Sequence, residues 1–519
     1  MMKKLCMECR EHFLGGTGDS RRLGGVLIAL VLILVLSMVS AEPNSELDSQ
    51  IVRALSESVC GRQLRHLQGN EGVSEVIPPR LKGEWMSMRC EVRPGPEFVL
   101  RRYKFHSDSS FSLHQFFYTD NQCRIPAYSL KIRGTLALGQ QSWVTDGATE
   151  AEYQVSKVTL VVYDEKFGKT LKTQVNRTCP GFFSSTSNDL ELYQRYLIID
   201  WEQEGAFTDC TEAMDFAMHE LQIVRNELVT EFSTQWAKFV SWEELYLGDI
   251  HTVRAQRMYY RPRAYQPPLR KYQANCSFCQ FIHNTEEFNP PLLGAKTEYQ
   301  VILRSEWVST KCEARKVHFV TRHLVFHNNF TWEGYFFYYL DPMCQHPVYS
   351  IYVKGTHSDG TKSEAVMGGT EFEFVTNKMW ITPQNVIQVD KLNNNQNDCA
   401  RAGSWTLNEP QEVTSTNGCA PIGVTLPHTE LELMRMEQGA GGRALLFNGL
   451  QSTDEELQGL VGPTSYQSPL MHCAGVNPLI DITVTSQADD ESGCGGLTAS
   501  SHTLLMLLLG AWLVLFLRH

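Results

Sequence analysis

Short runs dense in Tyr, Phe, Val and Ile, separated by turn residues, recur along the chain and predict antiparallel β structure. Phe98–His106, a polar turn at Ser107–Ser110 and Phe111–Tyr118 read as one hairpin. Phe319–His327, Asn328-Asn329 and Phe330–Tyr339 read as another. Ala127–Leu138 and Val348–Val353 predict a further strand each, as do the alternating Tyr153–Tyr163 and Phe372–Thr376. Thr211–Leu247 has helical periodicity taken alone, but the segment matching it later in the chain contains Pro427 and then alternates through Leu433. His219–Arg225 is therefore expected to be a strand, and Asn226–Glu244 a short helix present once.

The same pattern is written twice. Trp85-Met86-Ser87-Met88-Arg89-Cys90-Glu91 returns as Trp307-Val308-Ser309-Thr310-Lys311-Cys312-Glu313, and Cys123, Cys179 and Cys210 find matches in Cys344, Cys399 and Cys419. Similarity over about 180 residues is far longer than a solenoid unit of 20–50 residues. The chain thus predicts a mainly β protein: a tandem duplication of an antiparallel β-barrel-like domain, disulfide-stabilised. About 180 residues per copy is too many for an immunoglobulin sandwich and suits a curved sheet or barrel. Gly83-Glu84-Trp85 resembles the Gly-x-Trp entry of lipocalins; the second copy has Ser305-Glu306-Trp307.

The ends add a compartment. Basic residues precede the apolar run Val26–Leu36, and Val39-Ser40-Ala41 suits signal peptidase, with a signal anchor as the alternative. Near the other end, Ser492–Gly496, a polar spacer and the apolar Leu504–Leu517 have the form of a glycosylphosphatidylinositol signal, with a short transmembrane helix as the competitor. The predicted layout is a signal peptide over 1–41, an extension over 42–74, the first repeat over 75–282, a linker over 283–297, the second repeat over 298–475, a tail over 476–503 and an anchor segment over 504–517. The protein is expected at the outer face of the plasma membrane.

Fifteen cysteines less Cys6, Cys9 and Cys494 leave twelve, an even number suited to an oxidising compartment. Matched positions suggest Cys90–Cys123 with Cys312–Cys344, and Cys179–Cys210 with Cys399–Cys419. Cys276 matches Cys473 while Cys279 has no evident match, so two further structural disulfides are expected, with Cys60 as one partner, rather than a redox or metal site. Asn176, Asn275 and Asn329 head glycosylation sequons expected on exposed loops. A formal charge of −12 with both signs interspersed argues against a nucleic-acid partner.

Catalytic signatures are absent from the sequence: no Gly-x-Ser-x-Gly elbow, no phosphate loop, and no second histidine to complete a zinc site after His219-Glu220. His323 and His327, four apart on a strand, would lie about 13 Å from one another. No enzyme, metal or cofactor is expected. What stands out instead is aromatic surplus. Trp85, Tyr103, Phe105, Phe111, Phe117 and Trp143 form an apolar set that is either core or the lining of a ligand cavity. Tyr335–Tyr339 puts rings on both faces of one strand, so one face must meet something besides the core.

Several motifs together are specific: Gly83 to Phe98, Gln174-Val175-Asn176-Arg177-Thr178-Cys179-Pro180-Gly181, Glu243 to Thr252, Phe326-His327-Asn328-Asn329 and Met367-Gly368-Gly369-Thr370-Glu371. They resemble the adenomatosis polyposis coli down-regulated 1 family of membrane-anchored glycoproteins over nearly all of Gln50 to Cys473. The resemblance implies an extracellular antagonist of Wnt signalling with two related β-barrel-like domains. It implies Wnt proteins and the low-density-lipoprotein-receptor-related co-receptor as partners, and a hydrophobic pocket for the acyl lipid that Wnt carries. A homodimer is left open.

Overall fold

The computed structural model describes residues 59–69, 72–179, 190–201, 208–233, 238–315, 318–394, 399–400, 403–439, 442–454 and 461–473. The expected signal peptide and anchor segment lie outside them. Among the described residues no helix is long and apolar enough to cross a membrane.

Each repeat closes into an eight-stranded antiparallel barrel. The first contains β1 (Gly83–Met86), β2 (Glu97–Phe105), β3 (Ser110–Tyr118), β4 (Pro126–Gln141), β5 (Thr149–Val162), β6 (Ile223–Ser233), β7 (Lys238–Leu247) and β8 (Leu269–Lys271). Consecutive strands pair, and β8 returns to β1 with Lys271 opposite Trp85. The second barrel repeats the order in β9 (Ser305–Ser309), β10 (Phe319–Phe326), β11 (Thr331–Tyr339), β12 (Pro347–His357), β13 (Thr370–Pro383), β14 (His428–Gln438), β15 (Ala444–Asn448) and β16 (Leu470–His472). There His472 lies opposite Trp307. Closure removes the unpaired edges that an open sheet would expose.

Alternation decides which residues fill each barrel. Along β2, Val99, Tyr103 and Phe105 enter the first core, while Phe98 and Leu100 face outward. Trp85 and Trp307 are fully buried near the seams, where Lys271 Nζ stands 5.1 Å over the Trp85 ring and His472 packs edge-on to Trp307. A long excursion between the fifth and sixth strands carries a helix in each copy: α2 (Glu165–Thr178) and α4 (Val386–Asn394). Asp164 caps α2 by accepting from the Phe167 amide, and Phe167, Leu171 and Val175, four apart, turn one stripe onto the first core.

Two expectations are corrected. Asn226–Glu244 is not helical: it belongs to the β6–β7 hairpin, with Val224 opposite Leu247 and Ser233 opposite Lys238. His219–Gln222 is a 3₁₀ turn, and the strand begins only at Ile223.

The four repeat-matched disulfides form, and the remaining cysteines close as Cys276–Cys279 and Cys60–Cys473. The last two are equivalent. α3 (Ser277–His283), ahead of the second repeat, covers the outward face of the first barrel through Cys279 and Ile282. α1 (Val59–Gln68), ahead of the first repeat, packs on β9 of the second barrel, and Gln68 donates to the Tyr339 hydroxyl at 2.9 Å. Cys60 is thus the counterpart that Cys279 lacked.

The barrels meet by the same surface. Arg89 stacks over Phe447 at 5.0 Å, while the matching Lys311 stacks over the matching Tyr246 at 5.2 Å. Thr252 and its counterpart Thr453 contact each other, the Thr252 amide donating to Thr453 Oγ1 at 2.9 Å. Matched residues touching reciprocally, with one matched pair touching itself, is the arrangement of an isologous two-fold interface.

Candidate functional site

A cleft opens at the end of the first barrel where β2 and β4 begin, between the excursion and a strap joining β7 to β8. Phe117, Tyr128 and Leu130 form its apolar floor, and Phe117, Tyr128 and Phe167 stack in a column with centroids 4.4 Å apart at each step. Trp85, Tyr103, Phe105 and Phe111 lie deeper in the same core. Trp143 does not join them. It sits after β4 in a turn and is 79% exposed, because Ser142 and the residues after it leave the alternation of the strand.

The walls are polar. Arg93, buried, has Nη2 3.8 Å from Glu220 Oε1, and neither its Nε nor its Nη2 makes a hydrogen bond. Desolvation lowers the Arg93 pKa from its ordinary value. Tyr103 reaches up from the core to donate to Glu220 at 3.4 Å, and burial with the Glu220 charge raises its phenol well above the usual range.

The strap is the 3₁₀ segment Arg254–Tyr259, none of whose residues is buried. It is held by polar contacts. Arg257 Nη1 donates to Glu97 Oε1 at 2.9 Å, and Nη2 to the Pro94 carbonyl at 2.7 Å. Arg254 lies 3.8 Å from Glu97 and 3.7 Å from Asp215. His219 Nε2 is 2.7 Å from the Met258 carbonyl, and Tyr260 donates to Asp249 at 2.7 Å. Burial raises the Asp249 carboxyl above its ordinary pKa. Beneath the strap the free space is about 60 Å³; beyond it an open groove of about 840 Å³ shares His219 and Tyr260 with the cleft. Binding pockets for ligands of drug size run to about 300–1,000 Å³, so a long apolar chain enters only if strap and core side chains move.

Of the sequons, Asn275 and Asn329 stand on exposed turns. Asn176 does not: the backbone there belongs to the last turn of α2 rather than to a loop. Cys60, Glu306 and His323 converge closely enough to hold a metal, but Cys60 is committed to its disulfide. Sequence pattern alone pointed to no role for Arg93, Glu220 or the strap; Arg254, Arg257 and Arg261 around the pair Tyr259-Tyr260 were the available signal.

The family model described as adenomatosis polyposis coli down-regulated 1 matches residues 59–294 and again residues 295–492. The two matches divide between the barrels and together span most of the chain, and the first begins at α1, whose disulfide ties it to the end of the second barrel. A duplicated, disulfide-bonded β protein matched twice over by one family model is a member of that family: this chain belongs to the adenomatosis polyposis coli down-regulated 1 family.

Proposed function

We propose that this protein is an extracellular, membrane-anchored antagonist of Wnt signalling that sequesters the acyl chain of Wnt in its first barrel. Membership of the family supports a role in restraining Wnt signalling. The observation that carries the finer reading is a closed barrel with an interior of large apolar rings, entered through a polar mouth under a strap without buried residues. Burying a sixteen-carbon chain contributes on the order of 10 kcal/mol before association costs, at about 0.8 kcal/mol per methylene. That is ample for masking a lipid without any chemistry. The co-receptor is a second partner in this reading, and a general extracellular lipid carrier or sensor is the alternative function.

The test is binding of the purified protein to acylated Wnt and to Wnt lacking the chain. Preference of at least tenfold for the acylated form is expected, and equal binding removes the cavity from the mechanism. Phe117→Asp places a charge on the floor of the cleft and should abolish that preference while secretion continues. A secreted Phe117→Asp protein with normal preference excludes this residue from the site.

A further inference from the structure

The outward face of β2–β4 carries a groove of about 630 Å³ on the other side of the sheet from the core. Arg102, His114 and Lys131 stand side by side across the three strands, and Lys104, Ser112 and Arg133 form the next row. Glu287 answers Lys131 at 3.6 Å and also pairs with Arg195. Arg133 is exposed and makes no ion pair among the described residues. His114 is only 8% exposed; its Nδ1 lies 2.9 Å from Arg102 Nη2, and its Nε2 has no hydrogen-bond partner. Lys104 pairs with Glu84 at 3.0 Å, and Glu286 also lines the groove. Arg102, Lys104, Lys131, Arg133 and Arg195 against Glu84, Glu286 and Glu287 still leave this face net basic in a chain of net charge −12.

Duplication supplies an internal control. On the second barrel the row of Arg102, His114 and Lys131 is replaced by His323, Tyr335 and Tyr352, and Trp380 extends it. Those rings stack on one another at 5.5, 4.5 and 5.2 Å and fill the face. Ser112 is replaced by Glu333, which neutralises Lys354 at 3.4 Å and accepts from Tyr352. The same positions of one ancestral sheet thus carry a face filled by stacked rings in one copy and an open, net basic groove in the other.

We propose that the groove on the first barrel binds a sulfated polysaccharide. Its cations are spread over adjacent strands, about 5 Å apart across the sheet and about 7 Å along it, which suits a chain of anionic groups rather than a single ion. Six disulfides mark an oxidising compartment, and sulfated glycans are the oligoanions met outside the cell. This inference stands apart from acyl binding, which concerns the inside of the barrel.

The experiment measures binding of the full chain in detergent to immobilised heparin over a range of salt concentrations. Three variants are compared: Lys131→Gln with Arg133→Gln, Lys354→Gln with Lys378→Gln on the second barrel, and Ser112→Glu. The first should weaken binding about tenfold and lower the salt slope by about two, as expected when two cation–anion contacts are lost. The second should bind as the parent does. Ser112→Glu keeps every cation but copies the neutralising carboxylate of the second barrel, and should weaken binding comparably. Failure of the parent chain to bind heparin overturns the proposal. So does equal loss in the first two variants, or binding to anionic phospholipid vesicles in preference to heparin.

Discussion

Arg101 and Arg322 are matched residues buried beside matched carboxylates, Glu91 at 2.7 Å and Glu313 at 2.8 Å. Each also donates Nη2 to a carbonyl ahead of the eighth strand, Pro267 at 2.9 Å and Ser468 at 3.1 Å. Each receives one further tie, since Ser87 or Ser309 accepts its backbone N–H at 2.8 Å. Removing one charge strands the other in a dry interior, whereas replacing both with apolar groups does not. Glu91→Gln should therefore cost about 3–5 kcal/mol by denaturant titration, and Glu91→Leu with Arg101→Met should recover most of it. His114 supplies a second check. Burial, with Arg102, Lys131 and Arg133 nearby, pushes its imidazole from 6.5 down to about 3. The unfolded chain gains a proton near 6.5 that the folded chain refuses until about 3, so stability is whole above that window and falls as pH drops through it. His114→Gln should make the decline of the thermal midpoint between those limits shallower. The aromatic set was legible in the sequence because alternation assigns a face. Trp143 was not, since nothing in its own identity distinguishes a strand position from the turn that follows.

Elements were read well where both faces of the sheet obey one rule and poorly where local preference and pairing disagree. The hairpins from Phe98 and Phe319 emerged close to their observed limits, because most of their inward positions are apolar, the buried Arg101 and Arg322 excepted, and their turns are polar. The β6–β7 hairpin was mistaken for helix: Met214, Met218 and Leu221 reach the core from turns, while the strand beyond is fixed by ten cross-strand partners. α2 went unnoticed although Phe167, Leu171 and Val175 keep a spacing of four behind a capping Asp164. The strap belongs to the same scale. Having no buried residue, it should be among the first segments to open, and its hold on Glu97 is electrostatic. Arg257→Glu should speed hydrogen exchange of the Val253–Tyr260 amides and raise the association rate of a fluorescent sixteen-carbon acid. Adding Glu97→Arg should restore both. Unchanged exchange in Arg257→Glu would show that the strap is held by something other than this pair.

At the scale of the molecule, the duplication was legible from cysteine and tryptophan spacing, but the way the copies complete one another was not. Cys60 precedes Trp85 by 25 residues and Cys279 precedes Trp307 by 28, a correspondence hidden because each cysteine serves the other copy's neighbour. Each barrel borrows the helix that precedes its partner, and the reciprocal stacking of Arg89 and Lys311 follows the same two-fold logic. Lys311→Ala and Arg89→Ala should accordingly have similar, modest effects on stability, of about 0.5–2 kcal/mol each, read from thermal midpoints.

The bond between Cys60 and Cys473 makes the two-barrel body a ring drawn shut beside both of its exits. A protease that severs the stretch between the barrels therefore turns the ring into a line without freeing either half. Such a nicked molecule should run intact on a gel without reductant and as two pieces with it. For a chain tethered by a segment beyond Cys473, release would demand a cut outside the ring, so shedding and internal clipping would be separable events, distinguishable by a single thiol.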